Sequence, residues 1–280
     1  MSNNSIRQPA FAGSFYPGDP VELSKTIADF FADTPKQEVD GEIVGLVSPH
    51  AGYIYSGGVA AVSYKLLEGD QYDTVVVIAP SHAAYFDGVS AFPGDTYNTP
   101  LGPVEVDNDI VKELTRDSGI ITESYDGHTG AGGRAEHSLE VQLPFLQIVL
   151  PKFRLVPLVM GNQSYETCRI LADDLNKALK NKNALVVAST DLSHFHPTGE
   201  AGKLDSAFIE YFEAYRPKEL AEALSKRSCE ACGGGPVVAL MLYAQHLGNP
   251  RAKKLMYRDS SAVSGDTSNV VGYLSGVITI

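Results

Sequence analysis

Short, nearly continuous apolar runs punctuate the chain at 43–48 (IVGLVS), 74–79 (TVVVIA) and 184–189 (ALVVAS). A strand covered on both faces reads this way, whereas a half-exposed strand alternates. Further strands are predicted at 88–92, 154–159, 254–258 and 271–279. Between them, apolar residues recur at helical spacing over 58–67, 108–117, 136–150, 165–180, 203–215, 217–226 and 236–246. Asp107 is placed to cap the second of these, and prolines open the last two. Pro144 is expected to kink or split the segment 136–150. Strands alternating with helices predict an α/β fold with a mostly parallel sheet, and the absence of a low-complexity linker predicts one domain over 1–280. A Gly-rich stretch at 126–134 (DGHTGAGGR) reads as a surface loop.

Three apolar runs end in polar residues of one kind. The first leads into Ser48-Pro49-His50, the second into Pro80-Ser81-His82, and the third into Thr190-Asp191 with His194 a turn later. In a parallel sheet the loops beyond the carboxyl ends of the strands converge on one edge. If the three strands are neighbours, His50, His82, Asp191 and His194 share a crevice. Pro49 and Pro80 end the ladder there, and the small residues Ala51-Gly52 and Gly57-Gly58 permit tight loops and close ligand approach. A lone histidine after a strand is ordinarily a hydrogen-bonded structural residue; two matched strand–Pro–His units beside a strand–Asp–His unit favour a site. Two imidazoles and an anionic ligand suit iron(II), and three protein ligands with a water suit zinc. Spacing does not choose between them.

Other polar residues carry two readings each. Glu136, His137 and Glu140 fall near a predicted helix start, as caps and surface charge or as residues orienting a ligand. Cys232, followed by three glycines at a helix start, is either an inert buried thiol or a thiolate of lowered pKa. Cys229 forms a CxxC with it, but a structural zinc cluster needs a second pair. His128, His196 and His246 read as structural or exposed.

Composition narrows the function. The 280 residues carry a formal net charge of −12, a poor match to a nucleic-acid backbone, and the small basic cluster Arg251, Lys253, Lys254 reads as solvated surface. Three cysteines build no disulfide framework. No run reaches membrane-span length and the N-terminus lacks a signal-peptide core, so no membrane partner and a cytoplasmic location are expected.

The ordered motifs AFAGSFYPGD, SPHAGYIYSG, APSH, EHSLEVQLPF, STDLSHF and CGGGP resemble the Memo family, whose prokaryotic members are called AmmeMemoRadiSam system protein B. The resemblance spans the chain from about Ala10 onward. It implies a three-layer α/β/α body like that of class III extradiol dioxygenases. It implies metal ligands at His50, His82 and Cys232, a pocket including Tyr55, Asp191 and His194, and iron or copper as the metal. Glu136 and His137 then become pocket-wall residues, with Asp191 and His194 as acid/base candidates. A thiolate in place of the carboxylate of ring-cleaving dioxygenases is itself oxidisable, so extradiol cleavage does not follow from the fold.

Three functions compete. The first is a metal-dependent oxidoreductase in which His194, oriented by Asp191, acts as acid/base and Tyr55 positions a small molecule. The second is a non-catalytic peptide-binding scaffold or metal chaperone. The third is a metal-free hydrolase using Cys232, His194 and Asp191. The family name implies AMMECR-type and radical SAM proteins as partners in a modification pathway.

Overall fold

The computed structural model describes residues 6–35, 37–129 and 135–280. In chain order they form β1 (Ile6–Arg7), α1 (Pro20–Asp33), β2 (Ile43–Ser48), α2 (Tyr53–Tyr64), β3 (Thr74–Pro80), β4 (Val89–Ala91), β5 (Thr96–Thr99), β6 (Gly102–Glu105), α3 (Asn108–Arg116), β7 (Ile121–Glu123), α4 (Leu143–Val149), β8 (Arg154–Met160), α5 (Tyr165–Ala178), β9 (Ala184–Ser189), β10 (Asp191–His196), α6 (Thr198–Glu213), α7 (Pro217–Ser225), α8 (Gly234–Leu247), β11 (Arg251–Asp259), α9 (Ser261–Ser264) and β12 (Val270–Thr279). Short 3-10 turns lie at Lys65–Leu67 and Glu140–Gln142.

The large sheet has the order β10-β12-β2-β9-β3-β8-β4-β7, with β11 also paired to β12. Its centre, β2-β9-β3-β8, is parallel, and these are the strands whose runs are apolar throughout. Antiparallel pairs flank them: β12 against β2, and β4 against β8. Helices cover both faces, giving the three-layer α/β/α architecture. On one face α8 lies so close that a Cβ on Gly45 would come within 2.4 Å of Leu240. Elsewhere Tyr53, Tyr64 and Phe145 stack where α2 meets α4. The basic cluster lies on β11, where charged side chains discourage pairing with another chain. No helix among the described residues is long and apolar enough to cross a membrane.

Several expectations need correction. Residues 136–139 are not helical; the segment enters a 3-10 turn at Glu140, and Pro144 sits in the first turn of α4, where its missing N–H costs nothing, instead of kinking a longer helix. Gly57 and Gly58 lie inside α2, not in a loop. A Cβ on Gly57 would come within 2.4 Å of the Phe30 ring, so this glycine serves contact with α1. His194 belongs to β10, which pairs antiparallel with β12, instead of following a turn. In the Gly-rich stretch, 126–129 form a turn that buries His128, and 130–134 lie outside the described residues.

A second sheet, β1-β5-β6, ties down the N-terminal segment. Its anchor is Arg7, only 2% exposed. The guanidinium pairs with Glu140 and donates to the carbonyls of Glu136 (2.7 Å) and His128 (3.3 Å). Glu140 also accepts from the backbone N–H groups of Ala10 (3.0 Å) and Phe11 (2.9 Å) and from the Tyr16 hydroxyl. The reading of Glu140 as surface charge is therefore wrong: it is a buried carboxylate whose every bond holds segment 7–16 against the sheet. Removing one partner of a buried pair strands the other. Arg7→Met should cost about 3–5 kcal/mol in urea unfolding, and a loss under about 1 kcal/mol would contradict this account of the anchor.

Candidate metal centre

The register of the parallel strands brings the predicted residues together. Ser48 at the end of β2 stands opposite Ser189 at the end of β9, and Ile78 of β3 opposite Ala188. Each strand then releases its polar residues at the same edge. The His50 and His82 rings meet edge to face with centroids 5.2 Å apart. His50 Nε2 lies 3.1 Å from Cys232 Sγ. One donor atom from each of His50, His82 and Cys232 lies within 4.8 Å of the others. Residues 182 positions apart in sequence thus converge.

Proton counting fixes the state of His50. Ser189 Oγ donates its one proton to the Ser138 carbonyl (2.6 Å). It must then accept from both other neighbours, Gln142 Nε2 (2.7 Å) and His50 Nδ1 (2.8 Å). The amide orientation of Gln142 is set in turn: its nitrogen also donates to the Pro49 carbonyl (3.0 Å), and its oxygen accepts from the Tyr64 hydroxyl (2.7 Å). His50 therefore carries Nδ1–H and turns an unprotonated Nε2 toward the sulfur, where the thiol proton points back at it.

Two carboxylates hold the frame. Glu136 accepts from His82 Nδ1 (3.0 Å) and from the N–H groups of His82, His137 and Ser138, so the neutral ring of His82 has its lone pair on Nε2. A carboxylate behind an imidazole is the arrangement that orients metal-binding histidines. Asp191 Oδ1 accepts from the His50 N–H (2.7 Å), its carbonyl accepts from the Cys232 N–H (3.2 Å), and its own N–H donates to Cys232 Sγ (3.3 Å). Asp191 is thus the clamp between the two loops. The expectation that it orients His194 is not met: His194 Nδ1 donates to the Leu192 carbonyl (2.8 Å), and its Nε2 has no hydrogen-bond partner among the described residues. The Cys232–His194–Asp191 set of the hydrolase reading is not assembled, because the imidazole against the thiol is that of His50.

The remaining predicted residues surround this group. The ring of His137 stacks on His82 (4.8 Å) and is backed by Phe15 (4.7 Å) and Phe11 (5.5 Å). Tyr55 is 43% exposed on the first turn of α2. His128 is buried against Tyr97 and the Ser90 carbonyl; His196 faces Glu230, and His246 faces Asp173. All three are structural or surface residues, as expected. Cys229 is buried and free. Sequence reasoning passed over Ser189, Gln142, Phe11 and Phe15. A glutamine inside the apolar run VQLPF was the available signal, since a polar side chain there must be buried with partners.

A family model described as Memo-like protein matches residues 7–277. The chain belongs to the Memo family. It is 38% identical over 280 residues to a MEMO1 family protein of Methanopyrus kandleri, covering 95% of this chain and 96% of that one. A MEMO1 family protein of Methanocaldococcus jannaschii is 37% identical, covering 98% and 99%. The crystal structure of an uncharacterized Escherichia coli K12 protein superposes with a TM-score of 0.54 at 15% identity, over 85% of this chain and all of that one, which is likeness of fold alone.

In this Memo-family chain the electrostatics follow from burial and pairing. Burial pushes the Glu136 carboxyl up, but hydrogen bonds and charge from His82, with the charge of His137, outweigh it and hold it at about 2. Burial pushes Asp191 up to about 7, against the N–H bonds from His50 and Ala51 and the charge of His82. Burial, with the other histidines, holds His50 well below the usual range. Cys232 does not have the lowered pKa its helix-start position suggests: burial, and then the Asp191 charge, raise it. Two neutral imidazoles and a sulfur form a donor set that fits zinc, iron or copper and does not suit magnesium or calcium. Glu136 has its folded pKa below its unfolded value of 4.5. The stability it contributes, about 3 kcal/mol, is present above pH 4.5 and fades as pH falls toward 2. Urea midpoints followed downward from pH 5 should therefore drop more steeply for wild type than for Glu136→Gln; parallel curves would contradict the ionised carboxylate.

Proposed function

We propose that this Memo-family protein is a metal-dependent oxidoreductase whose metal, iron or copper with zinc as the redox-silent alternative, is held by His50, His82 and Cys232. The observation that carries the reading is the mutual 4.8 Å approach of one donor atom from each of the three. The hydrogen bonds of Ser189 and Glu136 support it, because each engages Nδ1 of its histidine and so makes Nε2 the lone-pair nitrogen of the neutral ring. A bound iron or copper supplies one-electron chemistry and a charge that polarises a coordinated substrate. The protein supplies the rest. Asp191 keeps the His50 and Cys232 loops together. Glu136 fixes the His82 ring. Phe11 and Phe15 back the half-buried His137 ring. His194, with Nε2 free, takes up or returns a proton, and burial lowers its pKa so that the imidazole is neutral at pH 7. The resemblance to AmmeMemoRadiSam system proteins supports a place beside AMMECR-type and radical SAM partners.

A non-catalytic, peptide-binding role draws support from Tyr85 and Phe195, 97% and 72% exposed, the former three residues after His82 and the latter next to His194. Phe195 holds a left-handed φ of 63°, a strained conformation for an aromatic residue. Anaerobic purification with elemental analysis and absorption spectroscopy separates the readings. Wild type should hold about one metal per chain with a thiolate-to-metal charge-transfer band. Cys232→Ser should lose the band, and His82→Ala should retain about tenfold less metal. Equal metal content in all three proteins would overturn the oxidoreductase reading.

A further inference from the structure

A cavity of about 790 Å3 lies against Cys232, lined by residues of α7, α8 and the start of α5. Cys232, His194 and Leu192 are among its lining residues, together with apolar side chains such as Leu224 and Val238. The size falls within the roughly 300–1,000 Å3 of small-molecule sites. Gln163 stiffens the wall, donating to the Cys232 carbonyl (2.8 Å) and accepting from the Gly235 N–H (2.8 Å).

The charges on the lining are unequal in their partners. Glu222 pairs with Lys226 at 3.5 Å, and Glu230 with His196 at 2.9 Å. Arg227 also lines the cavity, at its exposed edge, and its guanidinium has no hydrogen-bond or ion-pair partner among the described residues. It is also held at a cost. The end of α7 closes with bonds from Arg227 N–H to the Leu224 carbonyl (3.1 Å) and from Ser228 N–H to the Ala223 carbonyl (2.9 Å), which puts Arg227 at φ 55°. That position favours glycine. Tyr215 occupies the same kind of position after α6, but its hydroxyl is bound to the Met241 carbonyl (2.8 Å). Arg227 has no such internal use.

We propose that this cavity is the substrate pocket and that it takes a small molecule with an apolar, ring-sized body and one anionic group. The anion meets Arg227, the body fills the space against Leu224 and Val238, and the far end reaches Cys232 and His194. That the enclosed molecule reacts there rests on the oxidoreductase reading; that it binds does not.

The test uses two fluorescent dyes that differ in one anionic group, 8-anilinonaphthalene-1-sulfonate and the neutral N-phenyl-1-naphthylamine, with the full chain as purified. Wild type should bind one sulfonate dye per chain at least tenfold more tightly than the neutral dye. Arg227→Gly removes the guanidinium and relieves the backbone, so the variant should fold at least as well. It should lose the tenfold preference and keep its affinity for the neutral dye. Equal binding of both dyes by wild type, or an unchanged preference in Arg227→Gly, would overturn the proposal. Metal content measured on the same samples should not differ between the two proteins. A wild type without metal but with the dye preference would fail the oxidoreductase reading alone.

Discussion

The arrangement depends on how one hydroxyl proton is spent. Ser189 has a single proton and three polar neighbours, and the carbonyl among them can only accept. That forces the other two to donate. Nothing else around His50 chooses between its tautomers so directly. With Nδ1 protonated, the ring offers a lone pair to the space it shares with Cys232. With the other tautomer it would present a second proton to a buried thiol and could bind no cation. The chain of Tyr64, Gln142 and Ser189 is entirely buried, so breaking any link leaves a polar group without a partner, at about 1–3 kcal/mol. The same bonds that stabilise the junction of β9, α2 and α4 therefore also set the chemistry at the sheet edge.

The two carboxylates of the site divide the work, and their opposite titration behaviour follows. Glu136 is surrounded by donors, four of them N–H groups of residues 82, 137 and 138, and stays ionised. Asp191 is buried with fewer donors beside a sulfur, and its ionisation is opposed. One holds a ring; the other holds two loops. Arg7 extends this frame outward, because its bond to the Glu136 carbonyl couples the N-terminal segment to the residue behind His82. The wall of Phe11 and Phe15 is carried on that same segment.

Much of this was legible in the chain. Valine-rich runs at 43–48, 74–79 and 184–189 can only be strands covered on both faces, and the polar residues after them had to share an edge. The helix α1 was legible too: Asp19-Pro20 is a start signal, and Leu23, Ile27 and Phe31 repeat at intervals of four. The small sheet β1-β5-β6 was not readable, since two- to four-residue strands carry no periodicity. The role of Asp191 was misassigned for a physical reason. Sequence proximity suggested His194 as its partner, but the carboxylate is taken up by the loop of His50, while the His194 ring bonds to the Leu192 carbonyl within its own irregular strand. The state of Cys232 was left open between thiol and thiolate, and burial, which outweighs the helix start, decides for the thiol.

The most direct measurement is the long-range proton–nitrogen correlation spectrum of the histidine rings in metal-free protein at neutral pH. The account predicts that His50 and His82 both carry their proton on Nδ1 and show an unprotonated Nε2. A protonated Nε2 on His50 would contradict the hydrogen-bond chain from Tyr64 through Ser189 and, with it, the claim that this sheet edge is arranged to hold a metal.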